Sequence, residues 1–179
     1  MTSFKDRIIR AARLDVSLYE EVEADRESMG QAILVVVLSS IAAGIGSIGH
    51  VGLTGILIGT VTALIGWFFW AWLTYLIGTK LLPEPQTRAD MGELLRTIGF
   101  SSSPGLIRVL GIIPGLAALV NLAAMIWMLA AMIIAVRQAL DYKSTMRAVG
   151  VCCIGWAIQV LLIMFLFSIF GGPSMPGEF

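Results

Sequence analysis

The sequence is poor in the residues that most often carry chemistry. It has a single histidine, His50, and two adjacent cysteines, Cys152 and Cys153. One histidine excludes a multi-histidine metal site, and neighbouring cysteines in an apolar segment are typical of packing residues in a reducing compartment. No Ser-His-Asp arrangement, phosphate-binding loop, zinc-ligand spacing or haem motif is supported. We therefore expect no enzyme activity, no cofactor and no metal.

Charge is scarce as well, since 13% of the residues are charged and 58% are hydrophobic. Soluble domains average about a quarter charged residues. The hydrophobic residues form long runs without charge, which is typical of integral membrane proteins. The formal net charge is zero, so nothing indicates a nucleic-acid partner. No cleavable signal peptide is visible, because the chain up to Ser28 is too rich in charge.

The apolar runs predict an all-α integral membrane protein with five transmembrane helices in one domain. A cytoplasmic amphipathic arm (1–29) precedes the five-helix domain (30–170), and a short external tail (171–179) follows. The spans are expected at about 31–48, 53–77, 97–113, 116–136 and 148–170. The third span is short and contains Pro104, which predicts a kink in its helix.

The arm is predicted to form one helix over residues 3–28, capped by Ser3. Apolar residues recur at helical spacing along it, its first half is basic and its second half is acidic. Three roles stay open: a helix lying on anionic headgroups, a cap packed on the inner end of the bundle, and a docking arm for a partner protein. Further on, Thr87 or Asp90 is expected to cap a short helix leading into the third span.

Small residues mark two places where helices should approach closely. In the second span, Gly55, Gly59 and Ala63 recur every four residues, which predicts a helix-packing face within the monomer or in a dimer. The segment GIGSIG (44–49) matches the dinucleotide-binding pattern GxGxxG, but that pattern requires a preceding strand and a following helix. Here it ends a membrane span, so we interpret its glycines as packing and turn residues.

The basic residues decide the expected orientation. The arm carries five Lys or Arg, and the segments 79–96 and 137–147 carry three each. The alternate turns and the tail carry none, so the positive-inside rule predicts a cytoplasmic N-terminus and an external C-terminus. The aromatic residues at the inner end of the second span, which fit an interfacial belt, are Trp67, Trp70, Trp72 and Tyr75. A four-span alternative leaves 99–105 outside the bilayer and breaks the charge alternation.

Arg108 is the one basic residue inside a predicted span. An intramembrane charge is costly and usually faces protein or water. Arg108 lies about one turn from the outer end, so its side chain would either reach the outer surface or join a polar pocket. The other candidate pocket residues are Ser101, Ser102, Ser103, Asn121 and Gln159. No Asp or Glu occurs in any predicted span, which argues against a proton relay or a cation-coupled transporter.

Several stretches resemble the bacterial branch of the Yip1-domain family: GFSSSPG (99–105), GIIPG (111–115), IWML (126–129) and RQALDYKSTMRAV (137–149). The resemblance covers about 19–170. It implies a five-helix fold with a cytoplasmic N-terminus, and the short loops and sparse charge indicate the bacterial inner membrane. Eukaryotic members are linked to vesicle trafficking and Rab-type GTPases. Their acidic-aromatic arm is only loosely matched by LYEEVEAD (18–25), so Rab binding is not carried over. The family offers no catalytic residues to map.

These observations predict a non-enzymatic membrane protein that binds or organises another membrane component, as a scaffold subunit of a membrane complex or by binding lipid. Its expected partners are membrane lipids and another membrane protein or a second copy of itself. The alternative is a small transporter or channel lined by the kinked third span.

Overall fold

The computed structural model describes residues 3–170, apart from the side chains of residues 48–51, 166, 167 and 170. Its α-helices are α1 (Phe4–Ala12), α2 (Val16–Ala24), α3 (Met29–Gly46), α4 (Ile48–Leu76), α5 (Met91–Phe100), α6 (Ala117–Ala139) and α7 (Thr145–Phe170). Two 3-10 helices, Arg26–Ser28 and Ser103–Ile112, and one π-helix, Ile77–Leu81, complete the set. The predicted all-α class is confirmed, and the predicted tail at 171–179 lies outside the described residues.

Within residues 3–170, four helices are long and apolar enough to cross a membrane: Arg26–Gly46, Gly52–Leu81, Ala117–Ala139 and Thr145–Phe165. They coincide with the predicted first, second, fourth and fifth spans. Their outward faces expose large apolar side chains, for example Leu57 at 70% and Leu161 at 65%. Such a surface requires a lipid environment, and the protein is an integral membrane protein.

The third predicted span takes a different form from the one expected. Instead of one kinked helix over 97–113, α5 ends at Phe100 and a 3-10 helix begins at Ser103. Pro104 accounts for the change, because it has no N–H to donate and disfavours the α conformation in the residue before it. It is tolerated here in the first turn of the new helical segment. The single helix is therefore corrected to two helical segments.

α5 and the following 3-10 helix run alongside α3, in the same direction. The close contacts pair Gly99 with Ala32, Gly105 with Ser39 and Gly111 with Gly46. From one of these contacts to the next there are six residues along α5 and the 3-10 helix, and seven residues along α3. Six residues of 3-10 helix rise about 12 Å, and seven residues of α-helix rise about 10.5 Å. The two segments therefore stay nearly in step, and the glycines let them approach closely.

The N-terminal arm is two helices, so the prediction of a single helix over 3–28 is wrong. Leu14 adopts a positive φ of 62° between α1 and α2, a backbone conformation that ends a helix. The Asp15 side chain then accepts from the Ser17 amide at 3.0 Å and caps α2, which favours a new helix start over continuation. The predicted cap at Ser3 is confirmed, since its hydroxyl oxygen accepts from the Asp6 amide.

The arm packs against the bundle. Its buried apolar residues Ala11, Leu18, Tyr19 and Val22 form one cluster with α3, α6 and Phe100. The Arg7 side chain ties α1 to α2 by ion pairs to Glu21 at 2.9 Å and Asp25 at 2.8 Å. Trp127 in α6 donates its indole N–H to the Ala12 carbonyl oxygen at 2.7 Å. The arm is therefore a folded part of the domain.

The segments 79–96 and 137–147, with three basic residues each, meet α2 of the arm at one end of the bundle, which we call the charged end. From there α1 extends along the 3-10 helix and α6. Arg96 in α5 donates to the Val22 carbonyl oxygen at 2.9 Å. Tyr142 donates to the Leu82 carbonyl oxygen at 2.7 Å, and Arg147 pairs with Glu84 at 3.2 Å. Asp90 caps α5 in a capping box with Glu93, as predicted. The turns that lack basic residues lie at the opposite end.

Candidate functional site

The 3-10 helix directs Arg108 towards α3. Residues three apart lie on one face of a 3-10 helix, so Arg108 shares a face with Gly105 and Gly111. Both glycines contact α3, at Ser39 and at Gly46. Arg108 therefore lies on the inward face of its segment, and two residues without side chains flank it.

Arg108 lines two adjoining cavities. The first, which we call the Arg108 cavity, has a volume of about 290 Å³. Its lining residues come from five segments: Val36, Ser39, Ser40, Ala63, Gly66, Trp67, Trp70, Ser102, Arg108, Met128, Met132 and Gln159. The second cavity, of about 300 Å³, shares Ser40, Ala63 and Arg108 with it and extends to Ser47 at the end of α3. Arg108 thus lies between two adjoining cavities that are open to the surface.

The Arg108 side chain has no counter-charge. Neither cavity has an Asp or Glu among its described lining residues. The Arg108 Nε atom is buried without a hydrogen-bond partner, and so is Trp70 Nε1 in the same cavity wall. Both groups only donate hydrogen bonds. Arg108 is partly buried, and the second cavity that it lines reaches Ser47 at the end of α3, so the path of its side chain to the outer surface stays a prediction.

The structure brings together three of the six predicted pocket residues. Ser102, Arg108 and Gln159 line the same cavity. The other three lie apart from it. Ser101 donates to the Ile98 carbonyl oxygen at 2.7 Å, and Ser103 is buried with its hydroxyl unpaired. Asn121 donates to the Ala117 carbonyl oxygen at 2.9 Å and lines a separate cavity at the opposite end from the charged end.

Sequence reasoning missed Ser39, Ser40 and Trp70 as cavity residues. Two adjacent serines inside an apolar span were an available signal, because polar residues in such spans tend to face the bundle interior. The predicted aromatic belt stays a prediction. Trp67 and Trp70 line the Arg108 cavity, and Trp67 donates to the Leu95 carbonyl oxygen at 3.1 Å. Trp72 remains 44% exposed, as a belt residue would be.

The small-residue stripe of α4 borders the second cavity. Gly55, Gly59 and Ala63 all line it, and a Cβ added at Gly59 would meet no described atom within 4 Å. At Gly59, therefore, no other part of the described chain packs against the stripe. Its use as a dimer face stays a prediction.

Comparison with known protein families identifies the family of this chain. The chain matches the Yip1 domain over residues 16–167, from the first residue of α2 to the last turns of α7. The chain belongs to the Yip1 domain family. Comparison with curated proteins and with solved structures gives no match. Yip1-domain proteins are membrane proteins that are not known as enzymes.

This Yip1-domain protein has a further cavity, of about 580 Å³, at its charged end. The lining residues are Glu20, Glu23, Ala24, Glu93, Arg137, Gln138, Asp141, Tyr142 and Lys143. Despite the acidic residues, no group of three or more His, Cys, Asp or Glu within 3–170 has metal-site geometry. Burial raises the pKa of Glu23 to about 7, together with the nearby carboxylates of Glu93, Asp141 and Glu20 and against the opposing charge of Arg96.

The Glu23 carboxyl should make the stability of this domain depend on pH. Between about pH 4.5 and pH 7 the folded protein holds a proton that the unfolded chain has lost, so stability falls as pH rises through this window. We expect Glu23→Gln to flatten this dependence and to stabilise the protein at pH 8 by about 1 kcal/mol after allowance for solvent screening. Thermal unfolding in detergent across the window measures both effects. Glu27→Gln, at an exposed position of the same arm, should leave the slope in place, and an unchanged slope in Glu23→Gln would contradict the prediction.

Proposed function

We propose that this Yip1-domain protein is a non-enzymatic integral membrane protein that binds or organises another membrane component, as a scaffold subunit of a membrane complex or by binding lipid. The observation that supports this most is the Arg108 cavity. It contains a cation and an indole N–H that the described chain leaves unpaired. Buried polar groups are normally satisfied, so a partner from outside the chain accounts for both. The lining residues include no nucleophile with an adjacent base.

The proposal includes a five-span architecture. From Thr97 onward, α5 rises about 6 Å and the 3-10 helix about 20 Å, which together approach a hydrocarbon thickness of about 30 Å. Their pairing with α3 from Ala32 to Gly46 supports a crossing parallel to the first span. The gathering of the basic segments at one end supports a cytoplasmic N-terminus and an external C-terminus in the bacterial inner membrane.

Purification in mild detergent tests the proposed function. We expect a bound lipid, a second membrane protein in fixed ratio, or a homo-oligomer to be retained. Light scattering on the size-exclusion peak measures the oligomeric state, and native mass spectrometry identifies bound lipid or protein. A monodisperse monomer free of lipid and of other proteins would contradict the proposal.

A small transporter or channel is the second candidate, because Arg108 lies between two adjoining cavities along the face of the 3-10 helix that packs on α3. In reconstituted vesicles this function requires anion flux that Arg108→Ala abolishes without loss of folded protein. Absence of flux in the parent protein for the small anions tested counts against it.

A further inference from the structure

The Arg108 cavity combines an unpaired cation with unpaired hydrogen-bond donors. We propose that it binds a phosphate group, supplied by a phospholipid headgroup or by free phosphate, with the Arg108 guanidinium as the principal anchor and Trp70 Nε1 as a second donor. This inference rests on the proposed function and assigns the chemistry of the component that is bound.

Charge is the first argument for an anion. An arginine inside a membrane protein is costly unless it is paired. Neither the Arg108 cavity nor the second cavity has a carboxylate among its described lining residues. Arg108 also lies on the face of its segment that packs on α3, and it is partly buried there. A bound anion would supply the negative charge that the described residues do not.

The kind of unpaired atom is the second argument. Arg108 Nε and Trp70 Nε1 are both buried, both unpaired and both donors only. The Ser102 hydroxyl and the Gln159 amide, which line the same cavity, can donate as well. A group with several acceptor oxygens and a negative charge satisfies such a set. Guanidinium groups bind phosphate oxygens in pairs through parallel N–H donors.

Space is the third argument. The cavity of about 290 Å³ is bounded on the α4 side by Ala63 and Gly66, and a Cβ at Gly66 would meet no described atom within 4 Å. The neighbouring residues Ile65 and Phe68 are exposed on the outer surface of α4. The small side chains of α4 therefore leave open space beside a helix that faces lipid.

The test is a binding titration of the purified full-length protein in detergent, followed by tryptophan fluorescence because Trp67 and Trp70 line the cavity. The probes are dioleoyl phosphatidylglycerol, dioleoylglycerol without a phosphate, and inorganic phosphate. We expect saturable binding of a phosphate-containing probe and none of dioleoylglycerol. Arg108→Gln should weaken this binding roughly ten- to a hundredfold, the usual size of a lost charge-assisted hydrogen bond.

Two further variants keep the test decisive. Gly66→Leu retains Arg108 and adds a side chain at the exposed edge of the cavity, so it should also weaken binding, and it decides the question if Arg108→Gln does not fold. Arg88→Gln removes an exposed arginine from the charged end and should bind like the parent. Binding of inorganic phosphate alone identifies free phosphate as the source, whereas binding of the phospholipid alone identifies a lipid headgroup.

Equal binding of dioleoylglycerol and phosphatidylglycerol would overturn the inference, and so would unchanged affinity in both Arg108→Gln and Gly66→Leu. A protein that retains a partner protein or oligomerises without Arg108-dependent phosphate binding overturns this inference alone. A monodisperse monomer free of lipid and of other proteins overturns the proposed function as well.

Discussion

Replacement of Gly46 by alanine is expected to destabilise the bundle by about 3 kcal/mol, at the upper end of the usual cost of overpacking. The added Cβ would clash with the Arg108 carbonyl oxygen and would lie 3.5 Å from Gly111 Cα. Both neighbours are backbone atoms, so no side-chain rotation relieves the clash. α3 and the 3-10 helix must separate, which also moves Arg108. Thermal unfolding in detergent, followed by circular dichroism, measures the loss.

Gly59→Ala is the matched control, since it is the same substitution in the neighbouring long helix. A Cβ at Gly59 would meet no described atom within 4 Å, and alanine has the higher helix propensity. The variant should therefore be as stable as the parent or slightly more stable. Equal losses in the two variants would show that the effect is not the backbone contact between α3 and the 3-10 helix.

Arg96→Ala is expected to cost about 3 kcal/mol and to release the arm from the bundle. Arg96 is 4% exposed, and its guanidinium donates to the carbonyl oxygens of Val22 and Glu23 in the last turn of α2. The last carbonyls of a helix have no partner within the helix, and a cation there also complements the helix dipole. Removal of the side chain leaves the Glu23 carbonyl without its donor, while the Val22 carbonyl keeps only the Ser28 hydroxyl. The end of α2 then loses its hydrogen bonds to α5.

Limited trypsin digestion measures this release, because Arg10 and Arg13 lie in the arm. Arg96→Ala should be cleaved there faster than the parent, while the long helices retain their circular dichroism signal. Arg88→Ala, at an exposed position in the preceding loop, should be cleaved like the parent. Cleavage of Arg96→Ala at the parent rate would mean that the buried contacts of Tyr19 and Val22 hold the arm without Arg96.

Local patterns were sufficient to predict most helices. Four spans follow from uninterrupted apolar runs, and these alone require lipid around them. The caps at Ser3 and Asp90 follow from residue type, because a cap depends on the few residues that follow it. The break at Leu14 was not predicted. The helical spacing of apolar residues continues through Leu14 without interruption, so it does not indicate a break. The start of α2 depends on the Asp15 cap and on the packing of α1 and α2, which the ion pairs of Arg7 link.

For the candidate site, the sequence determined which residues are unusual: one arginine in an apolar segment, serines around a proline, and no carboxylate in any span. The sequence also contained Gly99, Gly105 and Gly111 at intervals of six. Gly105 and Gly111 lie in the 3-10 helix, which has three residues per turn, so this spacing places both on one face. Only the tertiary structure decided the direction of Arg108. In a 3-10 helix successive residues turn by about 120°, whereas in an α-helix they turn by about 100°. The packing of Gly105 and Gly111 on α3 therefore turns Arg108 towards the two cavities that it lines.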